Sequence, residues 1–132
     1  MRPGLVAVVD LLCVLVFAAV GRASHDEAVG PAGLVLTAWP FVAGWAVGWV
    51  LVLVMAPTRA RPLGATAGPL VWVPTVLVGM VLRALSGAGV QASFVVVATV
   101  VLGIFLLGWR GVAALVRRSR RARHDARTGA QV

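Results

Sequence analysis

Lysine and tyrosine are absent from this 132-residue chain, cysteine occurs once, and acidic residues number only four. Each shortage closes a class of function. The single cysteine, Cys13, permits no internal disulfide and no thiolate metal cluster, and its place inside an apolar run reads as a small filler. Without lysine, tyrosine or a second cysteine, catalysis would fall to Arg22, Ser24, His25 and Asp26. Neighbouring side chains diverge, so Ser24-His25-Asp26 is not a nucleophilic triad by spacing. One histidine beside Asp26 and Glu27 makes a poor metal site. The chain is therefore expected not to be an enzyme and to hold no cofactor or metal.

What is present is apolar: 61% of residues are hydrophobic and 12% charged, a balance that polar surface could not cover in a chain this short. Four runs, 5–20, 34–55, 70–85 and 94–107, each approach the ~20 residues a spanning helix needs. They predict an all-α integral membrane bundle of four transmembrane helices at about 4–21, 34–55, 68–86 and 92–116. The connections are too short for a soluble catalytic domain. Residues 1–116 form the membrane domain and 117–132 an arginine-rich cytoplasmic tail, expected to be disordered. The first run imitates a secretory signal, yet Arg2 alone is a weak basic lead and Asp10 interrupts the apolar stretch, so it is read as a retained span. Exclusive use of arginine, with abundant Ala, Val and Gly, suggests a GC-rich bacterial genome, and hence the bacterial cytoplasmic membrane.

Arginines near membrane ends stay on the cytoplasmic side. The tail carries Arg117, Arg118, Arg120, Arg121, Arg123 and Arg127, the connection between the second and third runs carries Arg59 and Arg61, and the N-terminus carries Arg2. With four spans all three segments fall on one side, giving an N-in/C-in topology. Beyond setting topology, Arg117, Arg118, Arg120, Arg121 and Arg123 are candidates for anionic lipid headgroups. Nucleic acid is not an expected partner, because the tail offers no aromatic for base stacking and no folded module.

Charges inside the spans are the sharper signal, since each costs at least ~2.5 kcal/mol in hydrocarbon and demands a partner or water. At ~1.5 Å per residue Asp10 lies roughly 8 Å in from the cytoplasmic end. Arg83 sits near the opposite end of its helix, too far for a direct pair. If the fourth helix runs to Val116, Arg110 is roughly 9 Å deep, level with Asp10. An Asp10–Arg110 pair joining first and last helices is therefore expected, against the alternative of Arg110 snorkelling to the interface.

Helical spacing places Thr75, Gly79, Arg83 and Ser86 on one face of the third helix, Thr37, Gly44 and Gly48 on one face of the second, and Thr99 and Gly103 on the fourth. These small and polar faces are expected to meet. Gly44 and Gly48 form the small-xxx-small spacing that lets membrane helices approach closely. Pro40 after Trp39, and Pro74, each remove a helical hydrogen bond and invite a kink. In the first external loop Arg22, Ser24, His25 and Asp26 cap the helix ends, with Arg83 as an expected partner for Asp26 or Glu27.

Asp10, Gly21-Arg22-Ala23-Ser24-His25, Thr37-Ala38-Trp39-Pro40-Phe41 with Gly44-Trp45, Gly79 with Arg83, and Gly108-Trp109-Arg110 together resemble the small prokaryotic membrane-protein family called domain of unknown function 3054. The resemblance covers nearly the whole chain up to the tail. It implies a four-helix membrane fold and marks these residues, while implying no activity. Two function classes follow. One is a small oligomeric carrier or channel-like protein, with Asp10, His25 and Arg83 along a polar path, which implies a homo-oligomer. The other is a non-transporting scaffold or lipid-binding accessory protein in which the same charges lock the bundle. An Asp10 that is dry and paired favours the second.

Overall fold

The computed structural model describes residues 1–24 and 30–129. Five helices follow in order: α1 (Pro3–Ser24), α2 (Pro31–Val54), α3 (Ala56–Ala60), α4 (Ala67–Leu85) and α5 (Ala92–Gly129). No strand occurs among the described residues. α1, α2, α4 and α5 are each long and apolar enough to cross a membrane. The four-span all-α fold expected from the apolar runs is thus present, with both N-terminus and C-terminal helix at one end of the bundle.

Helix ends differ from the expected ones for local reasons. α2 starts at Pro31 rather than near 34, because Gly30 is extended and proline is pre-shaped for a first helical position. The short α3 interrupts the connection to α4, and its Thr58 hydroxyl donates to the carbonyls of Val52 and Met55, both at 2.9 Å. At the far end Gly87 and Gly89 take φ of 77° and 74°, which turns the chain from α4 into α5 at positions where a Cβ would be strained. The largest difference is the tail. Instead of being disordered it continues α5 without a break to Gly129, making a helix of 38 residues. Arginine and alanine are strong helix formers, and the span below supplies a ready nucleus.

The four long helices close a ring, α1 on α2, α2 on α4, α4 on α5 and α5 on α1, with α2 and α4 in the most extensive contact. Glycine explains that contact. A Cβ on Gly44 would stand 2.6 Å from the Pro74 carbonyl oxygen, and one on Gly48 2.8 Å from the Val71 Cα and 2.9 Å from the Leu70 carbonyl oxygen. Pro74 has no N–H for Leu70, so that carbonyl is left to face the Gly48 backbone. The small faces expected on α2 and α4 do meet. Gly79 instead receives the Phe41 ring, and Gly103 the Trp72 ring, whose indole donates to the Thr99 carbonyl at 3.1 Å.

Val6, Val14, Phe17, Phe41, Val52, Val71, Ala98, Leu102 and Leu106 are buried between the helices. Leu5, Leu12, Leu36, Leu77, Val96 and Ile104 face outward, more than half exposed, as a lipid-facing surface requires.

Candidate functional site: a buried charge centre

Asp10 lies on α1 about two turns from its start, completely buried. The opposing cation is Arg110, on the inward face of α5 and 4% exposed. Its two terminal nitrogens donate one to each carboxylate oxygen, Nη1 to Oδ1 at 2.5 Å and Nη2 to Oδ2 at 2.7 Å, a bidentate pair. Two indoles complete the shell. Trp109 Nε1 donates to Oδ1 at 2.9 Å and Trp49 Nε1 to Oδ2 at 3.0 Å, so each oxygen accepts two bonds and the capacity of the carboxylate is filled.

Arg110 is itself fastened beyond Asp10. Nη1 also donates to the Leu106 carbonyl one turn back at 2.9 Å, and Nε to the Pro62 carbonyl in the α3–α4 connection at 3.4 Å. Its guanidinium carbon stands 5.3 Å from the Trp109 ring centroid. Gly68 on α4 makes room for this side chain: a Cβ there would meet Leu107 at 2.8 Å and the Arg110 Cδ at 3.4 Å. Every long helix therefore contributes, α1 the acid, α2 and α5 the indoles, α5 the base, and α4 the space. In hydrocarbon, where a lone charge is expensive, the carboxylate is saturated and each guanidinium nitrogen has a protein acceptor.

A second layer lies toward the other end. Phe17 meets Phe41 edge to face with centroids 5.2 Å apart, and Phe41 meets Phe94 at 6.3 Å. Above it, Arg83 is 4.3 Å from the Phe94 centroid, with Nε donating to the Gly89 carbonyl at 3.1 Å and Nη2 to that of Ala88 at 3.5 Å. Arg83 thus staples the α4–α5 turn, well separated along α4 from the Asp10 level as the depth argument required. Arg22 donates to the Thr37 hydroxyl at 2.9 Å and lies over Gly33.

The remaining expected positions divide as follows. Asp10 and Arg110 come together as the depth argument required. Ser24 closes α1, whereas His25, Asp26 and Glu27 lie outside the described residues, and with them any bond from Arg83 to Asp26 or Glu27. Trp39 is exposed and Pro40 buried within α2, while Pro74 is half-buried within α4. Arg117, Arg118, Arg120, Arg121 and Arg123 stand exposed around the extension of α5. Cys13 reaches only the Phe105 carbonyl, at 4.0 Å. Among the described residues no group of His, Cys, Asp and Glu could hold a metal ion. Trp49, Pro62 and Gly68 escaped the sequence reading. An indole at the depth of a buried acid was the available signal, since Trp49 stands roughly 8 Å in from the end of α2 and a buried Trp N–H seeks an acceptor.

Fold and site together define a four-span α-helical membrane protein whose helices are joined near one end by a buried carboxylate–guanidinium–indole centre. The chain belongs to the family described as Protein of unknown function (DUF3054), whose profile matches residues 7–113. That stretch contains Asp10, Trp49, Trp109 and Arg110 and ends before the arginine-rich extension. No curated protein and no solved structure matches the chain.

Proposed function

We propose that this protein is a non-transporting membrane scaffold, a rigid platform for a partner in the same bilayer, whose charge centre locks the platform. The observation that carries this reading is the Asp10 carboxylate, fully buried with four protein donors. A carrier or channel site must exchange bonds with solvent or substrate, and a saturated carboxylate has none to exchange. Val14, Val71, Ala98 and Leu102, together with the Phe17–Phe41–Phe94 layer, stand between this centre and the arginines of the other end, which supports the same reading. A carrier or channel would need its path between copies in a homo-oligomer. Neither role uses an enzymatic step.

The arginine distribution supports an N-in/C-in orientation in a bacterial cytoplasmic membrane, with Arg2, Arg59, Arg61 and the α5 extension on the cytoplasmic side beside anionic headgroups. Flux is the test. Full-length protein in vesicles loaded with a pH or halide dye is expected to pass protons, potassium and chloride no faster than protein-free vesicles. A flux that depends on protein and is altered by Asp10→Asn or Arg83→Gln overturns the scaffold.

A further inference from the structure

One groove on the lipid-facing surface lies apart from the arginine extension and shares only Trp49 with the charge centre. It lies between the start of α1 and the end of α2, lined by Pro3, Gly4, Ala7, Trp45, Trp49 and Leu53, with a volume of about 220 Å³. We infer that this groove is a binding site for one acyl chain of an anionic phospholipid, whose phosphate is held at the groove's mouth by Arg2.

The size and lining select the ligand class. About 220 Å³ falls short of the ~300 Å³ at which pockets for compact small molecules begin, and suits one flexible chain. Apart from the Trp45 N–H, which is buried and without a partner among the described residues, every lining side chain is apolar or presents an aromatic face, so the groove offers a polar molecule little to bond. It is built from two spanning helices, so its surroundings are hydrocarbon rather than water. α1 supplies the floor with three small residues, and space stands open above Gly4, with no atom within 4 Å of where its Cβ would be. α2 supplies the wall with two indoles and a leucine.

Charge selects the headgroup. Arg2 is exposed and immediately precedes Pro3 at the mouth, where α1 begins with no acidic residue in its first turn. Among the described residues the acids are Asp10, wholly engaged by the centre, and Asp125, about 13 Å past Val116 along α5. No described carboxylate competes with a lipid phosphate for Arg2. The site also touches the lock, because Trp49 lines the groove with its ring while its N–H holds Asp10.

Brominated acyl chains quench an indole they touch, and two indoles wall the groove. The experiment uses the full chain carrying Trp39→Phe, which removes the exposed tryptophan of the other end, in bilayers doped with brominated phosphatidylglycerol or brominated phosphatidylcholine. Phosphatidylglycerol is expected to half-quench at about five-fold lower mole fraction, the effect of one basic residue at an anionic surface. Arg2→Gln is expected to erase that preference, and Gly4→Leu, which fills open space without a clash, to weaken quenching by both lipids. Circular dichroism and elution volume confirm that each variant is folded. Equal quenching by the two lipids in the parent means ordinary annular lipid and overturns the site, as does a preference that survives both substitutions.

Discussion

Asp10 and Arg110 are worth more as a pair than as two residues. Removing one partner of a buried ion pair leaves the other charge stranded in low dielectric, at a cost of about 3–5 kcal/mol, whereas removing both leaves mainly lost packing. Asp10→Ala and Arg110→Ala are each expected to lower the detergent unfolding temperature sharply, and the double variant to be no worse than either single one. Additive losses across that double-mutant cycle would show that the contact carries no coupling. Trp49→Phe keeps an aromatic side chain, though a smaller one, and deletes one bond to a charged acceptor, so a loss of about 1.5–3 kcal/mol, smaller than that of either charge, is expected in the same assay. This pair was legible in the sequence because depth along a spanning helix follows from counting residues, and two unlike charges at one depth have few other options. The indoles were harder to read. Tryptophan is tolerated on any face of a membrane helix, and only the fold showed that Trp49 and Trp109 aim at the same carboxylate.

Helix contacts rest on which glycines are crowded and which are not. Gly44 faces α4 backbone, which cannot move aside, whereas Gly108 and Gly111 have no atom within 4 Å of where a Cβ would stand. Gly44→Leu is therefore expected to separate α2 from α4 and abolish a folded, monodisperse species, while Gly108→Ala should be neutral or stabilising by about 0.5–1 kcal/mol, as glycine is a poor helix residue. Thermal stability of the two variants by circular dichroism in detergent tests the contrast. Period and spacing exposed the α2 face in advance, because small residues four apart have one efficient use between membrane helices. The tail departs from the expected disorder because the propensity of its arginines and alanines and its continuity with α5 favour helix. Spin labels at Ser119→Cys and Thr128→Cys are expected about 13.5 Å apart along the backbone if the helix continues. A separation approaching about 30 Å would mean an extended tail instead.

On the scale of the molecule the bundle has two unlike ends. The end bearing both described termini carries Arg2, Arg59, Arg61 and the six arginines of the α5 extension, while the other described end carries Arg22 and Arg83, both engaged with neighbouring protein groups. The sequence alone could reach this asymmetry, since it needs only four spans and the positions of the arginines. It could not reach function, because the intramembrane charges are spent on one another and point at no external chemistry. The asymmetry still makes a demand on topology. Short connections and tail segments close to the membrane follow the positive-inside preference, so a fluorescent protein that matures only in the cytoplasm, fused after Val132, is expected to glow. A phosphatase active only outside the cytoplasm, fused at the same place, should stay silent. Replacing Arg59, Arg61, Arg117, Arg118, Arg120 and Arg121 with glutamine leaves the charge centre and the helix contacts untouched. The same fusions should then report mixed orientations. If the orientation of that variant stayed uniform, those six arginines would not be what sets it, and their clustering at this end would have to be explained by a partner rather than by insertion.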